Sequence, residues 1–245
     1  MRLVLLHGIG SRRQLWRPVL PALEAHFDVL ALDFPGFGAA PSGDGADVPW
    51  FADWVEDLAG GPCHVAGSSM GGGVALELGR RGFARSVTAF SPIGFWGPLS
   101  RRWCQVSVTG ARVLARSFRP ALPGLSGTRA GRVALYGLFF GHPTRVDPAE
   151  GVDDAAALAA APGFAAARAA FAHHRFGDPG ALPGIPVTIA WGSRDAILPA
   201  YQARRARRIL PSARHERLPG CGHLPFADDP AGTARLIRET AGFTA

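Results

Sequence analysis

The sequence predicts an α/β fold: a mainly parallel sheet with helices on both faces and a helical lid inserted between late strands. Three observations predict it. Short continuous apolar runs recur along the chain, as expected of strands buried on both faces. Helical stretches alternate with them, which requires right-handed crossovers. One run, Cys63–Ala66, passes through Gly67-Ser68-Ser69-Met70-Gly71 directly into a helical pattern. That join lies at a carboxyl edge, where sheets of this kind bind their ligands.

Each element has its own signal. Leu3–Leu6 is an apolar strand closed by His7-Gly8-Ile9-Gly10, and an amphipathic stretch follows around Leu15, Trp16, Val19, Leu20 and Leu23. Phe27–Asp33 is a second strand, ended by Phe34-Pro35-Gly36-Phe37-Gly38, and Trp50–Leu58 reads as a short helix. Cys63–Ala66 is the third strand and Met70–Arg81 its helix; Ser86–Phe90 is the fourth strand. Val187–Trp191 is the fifth, followed by a helix over Ala200–Leu210, a last strand at Arg214–Leu218 and a C-terminal helix over Ala231–Thr240. Between Pro92 and Pro183 the alternation stops. The middle of that segment reads as several helices, one containing Asp153–Ala161 and another Gly163–Phe176, separated by Pro162. Inserted between two strands, it would lie over the carboxyl ends as a lid. The expected organisation is a core over 1–92, a helical lid over 93–183 and the rest of the core over 184–245.

Composition excludes several classes. A chain of 245 residues buries one sizeable core, and no uncharged apolar stretch is long enough to cross a bilayer. Met1–Gly8 superficially resembles a signal peptide, but the apolar run is short and no cleavage site follows, so the chain reads as cytoplasmic. Cys63, Cys104 and Cys221 are scattered and without metal-like spacing, which suits a reducing compartment. No metal site and no cofactor is expected. The net charge of +7 is carried by arginine alone, since lysine is absent. Without a basic tail or interleaved aromatic array, it does not describe a nucleic-acid surface.

The pattern Gly67-x-Ser69-x-Gly71 specifies a tight turn that lifts one hydroxyl above the sheet. The glycines let the chain fold back without a Cβ clash, and the helix beyond aims unpaired N–H groups at any anion formed there. Ser69, not Ser68, has glycine at both −2 and +2. A serine nucleophile needs a base to accept its proton and an acid to orient that base. His223, in a glycine-rich loop beyond the last strand, suits the base, whereas His215 falls inside that strand. Asp195, in the loop after the fifth strand, suits the acid; Asp147, Asp153, Asp154 and Asp178 read as caps or solvated helix charges. A competing reading, Gly8-Ile9-Gly10 with Asp33 as a dinucleotide fingerprint, fails because Arg13 stands where the third glycine is needed.

His7-Gly8, Asp33-x-Pro35-Gly36-x-Gly38, Gly67-x-Ser69-x-Gly71-Gly72, Trp191-Gly192-x-x-Asp195-x-x-x-Pro199 and Gly222-His223 together resemble the α/β-hydrolase superfamily, over nearly the whole chain outside the lid. The resemblance implies Ser69 as nucleophile, Asp195 as acid, His223 as base, and the backbone N–H groups of Ile9 and Met70 as oxyanion hole. His7 supports its loop and takes no proton. The implied function is hydrolysis of a small-molecule carboxylic ester through an acyl-enzyme. The same fold also carries carbon–carbon bond hydrolases, cofactor-free peroxide-dependent enzymes and non-catalytic binding proteins. Among lidded members the pattern is similar to esterases of pimeloyl methyl esters held on acyl-carrier protein. A basic lid bearing Arg101, Arg102, Arg112, Arg116, Arg119, Arg129 and Arg132, with no Asp or Glu from Leu78 to Val146, could dock such a carrier. Arg204-Arg205-x-Arg207-Arg208 reads as a solvated face away from the lid. Trp96, Phe139, Phe140 and Phe171 are candidates to line an acyl pocket.

Overall fold

The computed structural model describes residues 1–177, 182 and 184–243. Six strands form one parallel sheet in the order β2-β1-β3-β4-β5-β6: β1 Arg2–Leu6, β2 Asp28–Leu32, β3 Cys63–Ser68, β4 Ala84–Phe90, β5 Val187–Gly192 and β6 Arg214–Leu218. The order reverses beside β1, so crossovers run to both faces of the sheet. Side-chain alternation shows why the apolar runs are continuous. Val4, Leu6, Val65 and Ile189 enter one buried cluster, while Leu3, Leu5, Ala66 and Ala190 enter the other.

Helices α1 (Leu20–Glu24) and α11 (Pro230–Thr240) close one face, through Leu23, Leu236 and Ile237. Helices α2 (Val48–Ala59), α3 (Met70–Arg80) and α9 (Tyr201–Ile209) cover the other. Asp47 caps α2 by accepting from Trp50 N at 2.8 Å, and left-handed Gly60 ends it. A short helix, α10 (Pro225–Asp228), precedes α11.

The insertion between β4 and β5 is helical: α4 (Pro98–Ser117), α5 (Leu122–Ser126), α6 (Arg129–Tyr136), α7 (Pro148–Ala160) and α8 (Phe164–Phe171). One of its helices differs from the sequence expectation. Helix α7 covers the expected stretch up to Ala160 and begins five residues before Asp153, where Asp147 caps it by accepting from Ala149 N and Glu150 N, both at 3.0 Å. Helix α8 stops at Phe171 instead of Phe176; the chain turns at His173-His174 so that Phe176 N can donate to Gly94 O at 3.3 Å. Asp178 and Pro183 lie outside the described residues.

Asp154 is not the solvated charge that the sequence suggested. It takes Arg12 at 3.2 Å and Arg17 at 3.5 Å, and Glu150 takes Arg17 at 3.3 Å, so these ion pairs fasten α7 to the loop after β1. Burial raises the Asp154 pKa despite those arginines. Arg112 also departs from expectation. Its guanidinium turns inward, donating to Leu158 O and Ala161 O at 3.2 and 2.9 Å and lying over Phe164 at 4.7 Å. It is therefore not part of the basic outer surface.

Candidate active site

The join between β3 and α3 is built by two glycines that have no room for a side chain. A Cβ on Gly67 would stand 2.1 Å from Gly71 O, and one on Gly71 would stand 2.3 Å from Leu6 O. Both obstacles are backbone and cannot step aside. Replacing Gly71 with alanine is thus expected to destabilise the protein by about 3 kcal/mol, the upper end of ordinary overpacking. Chemical denaturation should show this beside Gly60→Ala, where a Cβ meets nothing within 4 Å. A Gly71→Ala loss no larger than the Gly60→Ala loss would mean that the close approach is not needed.

Between those glycines Ser69 adopts φ 54°, ψ −111°, a backbone conformation that side chains other than glycine rarely enter. Three bonds hold it there. Ser69 N donates to Phe90 O at 2.9 Å, and Ser69 O accepts from Gly73 N and Ile93 N, each at 3.1 Å. Gly8 packs under the same residue, since a Cβ there would come within 3.2 Å of Ser69 Cβ. The loop that carries Ile9 is thereby brought beside the hydroxyl. Among the described residues, neither the Ile9 N–H nor the Met70 N–H is taken by a protein acceptor. The Met70 N–H opens α3, where helix geometry leaves it unpaired.

His7 fixes this loop from below. It is fully buried, its Nδ1 bonds to Gly8 O at 2.7 Å and its Nε2 accepts from Phe34 N at 3.0 Å. Those partners define the neutral ring with the proton on Nδ1, and burial lowers its pKa from 6.5 to about 4. The folded value lies below the unfolded one, so the unfolded chain binds this proton first. The stabilisation is complete above pH 6.5 and is lost as pH falls towards 4, at most about 3 kcal/mol. Burial lowers His64 and His174 in the same direction. Denaturant titrations at pH 7.5 and 4.5 should show a steep loss in the parent and a shallower one in His7→Gln. Equal losses would clear His7.

Asp195 and His223 meet directly, with His223 Nδ1 2.9 Å from Asp195 Oδ2. The other carboxylate oxygen accepts from Ile197 N at 3.0 Å and Leu198 N at 2.8 Å, so the acid is held from both sides. Both residues are buried. Their loops are sewn together by Arg194 N to Cys221 O at 2.9 Å and Gly220 N to Ser193 Oγ at 2.8 Å. Ser69 stands at the same carboxyl edge, without a hydrogen bond to His223 among the described residues; bonds of this kind tighten when substrate binds. His215 lies in β6 with its Nε2 against Leu210 O at 2.8 Å. The three thiols offer no rival nucleophile, because burial pushes Cys63 to about 11 and Cys104 and Cys221 to about 12. Asp33 is likewise engaged: its oxygens accept from Arg13 N at 2.6 Å and Ala39 N at 3.0 Å.

Among the aromatic candidates, Trp96 and Phe171 pack on one another 5.8 Å apart inside the core and are closed to solvent. Phe139 and Phe140 are half-buried. Phe140 borders a cavity of about 210 Å³ shared with Leu15, Phe226 and Glu150.

Two residues escaped the sequence reading. Asp228 is buried and accepts from Gly141 N, His142 N and Gly222 N at 2.8, 2.7 and 2.8 Å. It joins the insertion to the loop of His223. The signal was present: two acids precede Pro230, and Asp229 alone caps α11, by accepting from Gly232 N at 2.9 Å. Trp103 of α4 donates to Ala196 O at 2.7 Å, beside Asp195. Arg205 corrects the expectation that its helix lies away from the lid, for a Cβ on Gly97 would touch its guanidinium at 2.9 Å.

The sequence profile of the Alpha/beta hydrolase family matches residues 3–236. A pimeloyl-[acyl-carrier protein] methyl ester esterase of Aromatoleum aromaticum is 30% identical over 262 residues, spanning 97% of this chain and 96% of that protein. One of the same description from Aeromonas salmonicida is 40% identical over 78 residues, which are 31% of each chain. In that relative the match therefore spans only about a third of its length. Among solved structures, an esterase of Thermogutta terrifontis superposes with a TM-score of 0.74 at 23% identity, covering 98% of this chain and 88% of that one.

Proposed function

The chain belongs to the alpha/beta hydrolase family, and from that premise we propose that it is a serine hydrolase of carboxylic esters. The observation that carries the reading is the buried Asp195–His223 pair at the edge where Ser69 is held in a strained conformation. In this reading His223 Nε2 takes the Ser69 proton as Oγ attacks the ester carbonyl. The oxyanion is received by the Ile9 and Met70 N–H groups, while Asp195 holds the Nδ1–H tautomer and its charged form. The intermediate collapses, the alkoxide leaves with the proton from His223, and water repeats the cycle on the acyl-enzyme.

The two esterase relatives support a narrower substrate class, the methyl ester of an acyl chain borne on a carrier protein. Such an acid partner would meet the arginine-rich insertion, residues 93–183, as a lid over the site. Arg112 takes no part, being turned inward. The test of the reaction class is covalent trapping. Treatment with a fluorophosphonate should add one adduct per chain, and peptide mapping should place it on Ser69. An unlabelled Ser69 in a folded sample would end the proposal.

A further inference from the structure

The largest exposed apolar side chains are concentrated on one helix. On α4, Leu99 is 84% exposed, Trp103 47%, Val106 59% and Val113 55%. Their spacing of four, three and seven residues puts them on a single stripe of the helix, about 21 Å long. The opposite side of α4 already packs inward through Cys104, Val108 and Ala115. The stripe is thus a second apolar face, left over after the fold has used the first. Half-exposed Tyr201 stands at the start of α9, which Arg205 brings against the start of α4, as Trp103 does the preceding loop.

The charge around this stripe has one sign. Arg102 and Arg116 flank it on α4, and Arg204, Arg205 and Arg208 stand on α9. None of these five makes an ion pair among the described residues, whereas Arg12, Arg13, Arg17, Arg80, Arg81 and Arg214 are engaged with carboxylates. No acid occurs between Leu78 and Val146, the stretch that carries Arg102 and Arg116. A partner must therefore bring both negative charge and a surface that accepts leucine, valine, tryptophan and tyrosine. A second copy of this chain brings arginines against arginines. An anionic bilayer supplies both requirements at once: headgroup phosphates for the guanidiniums, and the acyl boundary for a Leu/Val stripe edged by Trp and Tyr. The helix is already folded, so no ordering cost opposes its insertion.

We propose that the outer face of α4, with the arginines of α9, docks this protein on anionic phospholipid surfaces. Seated there, the protein would hold Trp103, and with it the Asp195 loop, at the edge of the membrane.

Vesicle co-sedimentation of the full chain tests this, independently of catalysis. Vesicles of phosphatidylcholine with one part in three phosphatidylglycerol should bind the protein saturably, and binding should weaken with salt; phosphatidylcholine alone should bind it poorly. The double variant Arg102→Glu/Arg204→Glu should weaken binding about 30-fold or more, from roughly 1 kcal/mol per arginine. Leu99→Ser/Val106→Ser should weaken it about 10-fold or more. Both should keep the far-ultraviolet circular dichroism and any soluble-ester activity of the parent. Absence of binding to anionic vesicles, equal binding to both vesicle types, or indifference to both double variants would overturn the proposal. So would a dimer dissolved by Leu99→Ser/Val106→Ser, or a complex with acidic acyl-carrier protein, in a sample that ignores vesicles.

Discussion

Replacing Ser69 with alanine is expected to lower kcat for short p-nitrophenyl esters by about 10⁶-fold, as loss of a serine nucleophile does elsewhere. The substitution takes away Oγ and nothing that holds the fold. The bonds that fix this residue, to Phe90 O and from Gly73 N and Ile93 N, all use its backbone. Ser69→Gly gives the control that separates chemistry from folding. It should be equally inactive yet about 1 kcal/mol more stable than Ser69→Ala, because glycine enters φ 54° without strain. Turnover in Ser69→Ala within about 100-fold of the parent would remove Ser69 from the reaction, and equal stability of the two variants would remove the strain.

Asp195→Asn is expected to lower kcat by about 10⁴-fold with the fold intact. Asparagine keeps an oxygen for Ile197 N and Leu198 N, so the loop has no reason to move. Its amide, however, presents N–H groups to His223 Nδ1, where the carboxylate accepted a hydrogen bond. The ring then adopts the Nε2–H form, and the nitrogen proposed to take the Ser69 proton can no longer accept it. Activity within about 10-fold of the parent at pH 7 would show that Asp195 does not orient the base.

Much of this was legible in the sequence because it rests on patterns that burial imposes. The runs Leu3–Leu6, Cys63–Ala66 and Val187–Trp191 had to be apolar on both sides to sit in the middle of a covered sheet, and they form β1, β3 and β5. Gly67 and Gly71 are dictated by backbone contacts that admit no side chain. Helix α4, the longest among the described residues, had no clear signature for the opposite reason. Its apolar residues are divided between an inward face, Cys104, Val108 and Ala115, and an outward one, Leu99, Trp103, Val106 and Val113, and arginines and glycine interrupt them, so no apolar run announces the helix. The Ile9 and Met70 N–H groups belong to the backbone and carry no side-chain signal, so only the family resemblance pointed to them. Asp228 was hidden by its neighbour, since either acid of the pair could have capped α11.

The Asp228 carboxylate gives the molecule a seam. Three N–H groups from two distant stretches, Gly141-His142 and Gly222, share one buried anion. Gly141 and Gly222 also touch so closely that a Cβ on either would strike the other's backbone. A graft that exchanges the helical insertion for that of a relative therefore cannot be cut at the strand ends alone. It has to carry a matching partner for this carboxylate, or the histidine loop loses its footing. Diversification of the insertion and retention of the loop beneath it are bound to the same few atoms.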